Sequence, residues 1–117
     1  MSENNGEYLA GSVSPASLTA FKRRGCIKPY SDPDYSPPSP DEVDALIKLM
    51  GWSQSVAAKL VGVSYNPKKG SSTIRKWRTS VDKKDYREIP YSTWRLMLLY
   101  AGVVTIDEGL EAIEKPQ

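Results

Sequence analysis

Residues 53–64 read SQSVAAKLVGVS and, after six residues of turn-forming chain, residues 71–77 read SSTIRKW. Ser53 is a good helix cap, and Val56, Ala57, Leu60 and Val61 recur at three- and four-residue spacing before Gly62. That pattern predicts a short helix over about 53–61. Asn66, Pro67 and Gly70 mark Tyr65 to Gly70 as a loop. A second helix is predicted over about 72–79, with Ile74 and Trp77 on one side and Ser72, Arg75, Lys76 and Thr79 outward. Small residues at the crossing, an apolar side that holds the second helix down and donors on its outer side are what a reader of the DNA major groove needs.

Outward from this pair, the chain offers further helices. Ser39, Pro40, Asp41, Glu42 and Asp44 combine a capping hydroxyl, proline at the first helical position and negative charge in the first turn. With Val43, Leu46, Ile47 and Met50 in period and Gly51 as the stop, they predict a helix over about 40–50. Pro90 opens the strongest one, Tyr91 to Ala101, apolar at Trp94, Met97, Leu98 and Ala101 and nearly so all round, hence central to the core or to a subunit contact. Thr105 and Glu108 have capping-box spacing, and Ile106, Leu110 and Ile113 line one face of a last helix over about 105–115. Val81 to Glu88 is charged, aperiodic and expected to be loop. The first 38 residues are poor in large apolar side chains and end in Pro29, Pro33, Pro37 and Pro38, which predicts an extended or disordered lead-in on which only Phe21, Ile27 and Tyr30 could dock.

Composition narrows the function. At 117 residues, 39% hydrophobic and 26% charged, the chain supports one compact domain and hardly two. There is no histidine and Cys26 is the single cysteine, so triad hydrolysis, an intrachain disulfide and a thiolate metal centre are not expected. Cations adjacent in sequence would lower the Cys26 thiol pKa, but no partner suggests catalysis. Met1 to Tyr8 is polar and acidic rather than a secretory signal, and no apolar run approaches a membrane span. A soluble protein of a reducing, cytoplasmic compartment is expected, with no membrane partner. Carboxylates crowd helix starts and the tail, where capping explains them, so an enzyme is not expected.

The net charge of +2 hides a segregated distribution. From Lys59 to Arg87 nine bases stand against only Asp82 and Asp85, whereas 31–44 carries five acids and no base and the last 27 residues are acidic. Such a basic run is either a solvated face or a polyanion site.

The segment SQSVAAKLVGVS, followed by Thr73, Ile74 and Trp77 in STIRKW, resembles the helix-turn-helix of the Cro and phage-repressor family, including regulators of the xenobiotic-response-element type. The resemblance covers about residues 40–102. It implies an all-α, lambda-repressor-like domain of four to five helices over 39–115, preceded by the proline-rich segment 1–38. Ala57 would sit at the helix crossing, Leu60, Val63, Ile74 and Trp77 would be core, and Gln54 matches the position that in this family touches DNA backbone. The chain departs from the pattern at Tyr65 to Gly70, about six extra residues that place Lys68 and Lys69 beside the groove, where point charges meet phosphates.

Arg75 and Lys76 are candidates to donate to guanine edges. Ser71, Ser72 and Thr73 are candidates for base or phosphate contact, one of them being the helix cap. Arg78, Lys83, Lys84 and Arg87 suit backbone contacts or solvated surface. Trp52, Trp77 and Trp94 are expected in the core rather than stacked on bases. Lys22, Arg23 and Arg24 fit either a minor-groove arm or a flexible basic tail.

Together these readings predict a sequence-specific regulator of transcription, a repressor of phage, plasmid or bacterial origin, acting on double-stranded DNA. The resemblance implies control through its own concentration, including repression of its own promoter. A homodimer is expected, paired through the helix at 90–101 or the acidic tail. No cofactor, metal or small-molecule ligand is expected. The alternative is a protein-interaction module, antitoxin-like or of host-takeover type, whose N-terminal segment wraps a partner.

Overall fold

A helix start leaves backbone N–H groups without partners, and this sequence supplies a cap at nearly every one. In the computed structural model, which describes residues 14–114, Ser17 caps α1 (Leu18–Phe21) and Ser39 caps α2 (Pro40–Met50). Ser53 and Ser71 likewise cap α3 (Gln54–Val61) and α4 (Ser72–Trp77). Pro90 precedes α5 (Tyr91–Ala101), and Thr105 opens α6 (Ile106–Glu114). The predicted capping box at Thr105 forms, and Ser39, predicted only as a cap, makes a second one with Glu42. Ser39 Oγ accepts the Glu42 amide at 3.1 Å while Glu42 Oε1 accepts the Ser39 amide at 2.9 Å, and Thr105 and Glu108 exchange the equivalent bonds at 3.2 and 3.0 Å. The described residues contain six α-helices and no extended strand, and α2 to α6 fall within a residue or two of the predicted ranges. Expectations for Met1 to Tyr8 and for a helix end at Lys115 lie outside the described residues.

One core holds the helices together. Val43, Leu46 and Ile47 of α2, Ala57 and Ala58 of α3, Ile74 and Trp77 of α4, and Trp94, Met97, Leu98 and Ala101 of α5 are all buried. The two alanines let α3 lie close to both α4 and α5, since a larger side chain there would hold the backbones apart. Trp77 and Trp94 are core residues, as expected, and Trp52 packs half-buried against the core. Leu60 is only half-buried. None of the helices is long and apolar enough to cross a membrane among the described residues.

The segment before α2 differs from the expectation of free chain. From Ser17 to Tyr35 it folds into α1, a 3-10 turn at Gly25–Ile27 and tight turns, and it is docked. Phe21 and Cys26 are fully buried, and the Phe21 ring lies 6.2 Å from that of Trp94. The Trp94 indole N–H donates to the Cys26 carbonyl at 2.9 Å, Arg95 donates to the Ile27 carbonyl at 2.7 Å, and the Tyr30 amide donates to the Tyr91 hydroxyl at 3.2 Å. Gly25 is pressed against Ser36 and the Asp34 carbonyl, so a Cβ there would collide. Few apolar residues suffice because Phe21 and Cys26 are spent fully and hydrogen bonds to backbone carbonyls do the rest.

Docking also corrects two readings of this segment. Arg24 is neither an arm nor a flexible tail residue, since its guanidinium bonds Glu42 at 3.0 Å in a half-buried site, while Lys22 and Arg23 remain exposed. Cys26 is not activated by its neighbouring cations. Burial pushes its thiol up to about 12, the Glu42 carboxylate adds to the rise, and Arg24 offsets only part of it.

Trp94→Ala would open a large void and leave the Cys26 carbonyl unpartnered. It is expected to cost about 3–5 kcal/mol in urea unfolding followed by circular dichroism; a loss under about 1 kcal/mol would show that Trp94 is not the centre of the core.

Candidate nucleic-acid interface

Serine caps, glycine stops and two buried anchors fix the geometry of the basic surface. α4 is held down by Ile74 and Trp77, which leaves Ser72 and Arg75 exposed and Thr73 and Lys76 half-exposed on its other side. Ser71 is not part of that outward set. It is 2% exposed, its hydroxyl donates to the Ser64 carbonyl at 2.7 Å and accepts the Ile74 amide at 3.2 Å, so it welds the end of the α3 turn to the start of α4.

The six-residue departure between the helices is a built structure. Asn66 and Gly70 exchange backbone bonds at 2.6 and 2.9 Å, and Asn66 Oδ1 accepts the amides of Lys68 and Lys69, both at 2.9 Å. Ser55 Oγ on α3 donates to the Asn66 carbonyl at 3.3 Å, tying the loop to that helix. Lys68 and Lys69 are therefore presented on a pinned tip rather than a floppy strand. Gly70 adopts φ +91°, and a Cβ there would collide with the Gln54 carboxamide. Gln54 Oε1 accepts the Ser71 amide at 2.8 Å, which leaves its NH2 as the end able to donate to a phosphate. Sequence reasoning missed Asn66 and Ser55 as organisers; Asn before proline, four residues ahead of glycine, was the available signal.

Gln54, Lys69, Ser72 and Arg75 line one shallow concavity together with the loop. Arg75 pairs with Asp85 at 3.6 Å, with both side chains half-exposed, a loose surface contact that a phosphate can displace. Arg78 differs from the expectation of a backbone contact. Its Nε and terminal nitrogen reach Asp44 Oδ1 at 2.7 and 2.6 Å, while Lys48 takes the other carboxylate oxygen at 2.9 Å, so Arg78 braces α4 against α2. Arg87 is likewise spent on its own loop, donating to the Lys84 and Tyr86 carbonyls at 3.1 and 2.7 Å, whereas Lys83 and Lys84 are exposed.

No family model matches the chain. It is similar to the transcriptional repressor protein KorC of Escherichia coli, with 35% identity over 81 residues, 69% of this chain and 84% of that protein. The chain belongs to the KorC family. In this member of the KorC family the 39–102 region contributes α2 to α5, and the helix pair with its pinned loop carries Lys59, Lys68, Lys69 and Arg75 exposed.

Two substitutions test how this surface is built. Burial alone would raise the Asp44 pKa, but the hydrogen bonds and charges of Lys48 and Arg78 together hold it below its ordinary 3.8. A carboxylate depressed in the folded state stabilises above its unfolded pKa and ceases to as pH falls through the folded value. Asp44→Asn is therefore expected to be less stable than wild type at neutral pH, with the gap closing below about pH 4; a gap independent of pH in thermal melts would refute the strut. Gly70→Ala is expected to lower Tm by about 4–8 °C, one kcal/mol or more in a domain of this size, with the loop amides of Lys68 and Lys69 losing protection from hydrogen exchange. Unchanged protection would mean the loop does not depend on Gly70.

Proposed function

We propose that the chain is a sequence-specific DNA-binding transcriptional repressor in which α3 and α4 form a helix-turn-helix of the Cro and phage-repressor type. The observation that carries this is α4 itself, anchored by Ile74 and Trp77 with Ser72, Arg75 and part of Lys76 facing outward beside a lysine-tipped loop. The KorC relative's description as a transcriptional repressor supports it.

In this reading α4 enters the major groove. Arg75 and Lys76 donate to base edges, with Ser72 and Thr73 beside them, and Arg75 exchanges Asp85 for its target. The NH2 of Gln54 and the ammonium groups of Lys68 and Lys69 meet phosphates and fix the register. Ser71 and Arg78 act indirectly, by holding α4 at its angle. A helix of six residues spans few base pairs, so specificity requires two copies on an inverted repeat. The protein acts as a regulator without chemistry of its own and works in the compartment where its DNA lies.

The interaction-module reading needs a free N-terminal segment. Phe21, Cys26 and Arg24 are already committed to the core and to Glu42, which weighs against it.

Fluorescence anisotropy with the DNA upstream of the protein's own gene beside random duplex, over a salt titration, tests the proposal. Wild type is expected to prefer the upstream site. Arg75→Ala with Lys76→Ala should lose about 1–3 kcal/mol per base contact and most of the preference, while Lys68→Ala with Lys69→Ala should weaken both duplexes alike and reduce the salt slope by about 2. Preference retained without Arg75 and Lys76 would sink the assignment of α4.

A further inference from the structure

Docking of the segment before α2 brings three tyrosines together at the start of α5. Tyr30 packs on Tyr35 and on Tyr91, and Tyr35 on Tyr91, with ring centroids 5.7, 5.1 and 5.4 Å apart and planes inclined at 48, 58 and 88°. All three wall a cleft of about 780 Å³ that Asp32 and Glu88 also border, and no lysine or arginine lines it among the described residues. The walls are held in place from behind. The Tyr30 amide donates to the Tyr91 hydroxyl at 3.2 Å, Asp32 Oδ1 accepts the Asp34 amide at 2.8 Å, and the Tyr35 amide donates to the Asp32 carbonyl at 3.0 Å. Glu88 stands next to buried Ile89. Tyr30 is still 69% exposed although two rings pack on it, so much of its surface stays open to a guest.

We propose that this cleft binds an alkylammonium cation, its methyl or methylene body on the tyrosine rings and its charge answered by Asp32 and Glu88. The chemistry of the lining selects the guest. Aromatic faces carry the negative part of the ring quadrupole and attract a cation placed over them. Glu42, Asp44 and Asp85 each have a cationic partner, whereas no ion pair engages Asp32 or Glu88 among the described residues. Burial, then the neighbouring Tyr91 and Glu88, raise the Tyr35 phenol above its ordinary 10, so the ring stays neutral beside the carboxylates. An anion would be repelled, and a neutral apolar guest would strip water from two carboxylates with nothing in return. A hard metal ion needs more oxygen ligands than two, and the described residues hold no group of three acidic, cysteine or histidine side chains that could ligate one. A flat guanidinium stacks on one ring, whereas inclined rings suit a round ammonium. The sequence led to no expectation of a small ligand because Tyr30 and Tyr91 lie 61 residues apart. The proposal is independent of the DNA reading.

Two-dimensional NMR of the full chain, titrated with choline chloride and separately with sodium chloride at equal ionic strength, provides the test. Choline is expected to shift the amide signals of Tyr30, Asp32 and Ser92 along a saturable curve, and sodium is not. Tyr30→Phe, which keeps the ring, should bind choline like wild type. Tyr30→Leu, which keeps apolar bulk without a ring, and Glu88→Gln, which removes the charge, should each weaken binding about threefold or more. Both side chains are exposed, so the rest of the spectrum should not change. Equal shifts with sodium, or full affinity retained by either weakened variant, would overturn the proposal. Dimethylbutanol, the neutral carbon isostere of choline, binding as well as choline would show a merely apolar cleft and refute it. Methylguanidinium binding more tightly than choline would refute the alkylammonium assignment.

Discussion

The indole N–H of Trp94, donated to the Cys26 carbonyl from inside the core, is the constraint on which the other packing depends. A buried donor without a partner costs about 1–3 kcal/mol, so the 3-10 turn that offers this carbonyl has to sit over α5. Once it does, Phe21 falls against the indole ring, Arg95 finds the Ile27 carbonyl and Tyr30 reaches Tyr91. α5 is thereby covered by this segment as well as by α3. The helix pair that presents the basic surface rests on this foundation through the two alanines of α3, so the orientation of α4 is set by a tryptophan that takes no part in recognition.

Polar side chains divide into those that build and those that are left over. Ser71, Gln54, Asn66 and Ser55 are bonded internally around the turn, and Arg78 is clamped to Asp44. What remains outward near α4 is Ser72, Arg75, Lys76 and the two lysines of the loop tip. The backbone of such a loop is preorganised, so in the proposed reading its lysines would lose less entropy on meeting a phosphate than lysines on a free tail.

Much of this was legible in the sequence. The helices of residues 39–114 follow from serine and threonine caps, apolar spacing and glycine stops, because those signals act over one to four residues. The cap at Ser39 and the capping box at Thr105 were readable for the same reason. What the sequence concealed acts at long range. Nothing local tells that Trp94 reaches back 68 residues to Cys26, so a segment with one phenylalanine and several prolines reads as free chain. Arg78 looked like a phosphate contact because its partner Asp44 lies 34 residues away on another helix. The likeness of the loop to simple turn sequence hid the Asn66–Gly70 bridge.

Glu42 serves three groups at once, the Ser39 amide and hydroxyl partnership at its own helix start and the guanidinium of Arg24. Its carboxylate thus joins a bond that forms within four residues to one that forms only after the preceding segment has come home. Residue 39, where the composition changes, is consequently a poor place to cut. A shortened chain beginning there would keep every predicted helix yet strand a half-buried carboxylate and an indole N–H, and would survive only as a looser body. Proteolytic cleavage between Ser17 and α2 should meet resistance, for that stretch is docked on α2 and α5.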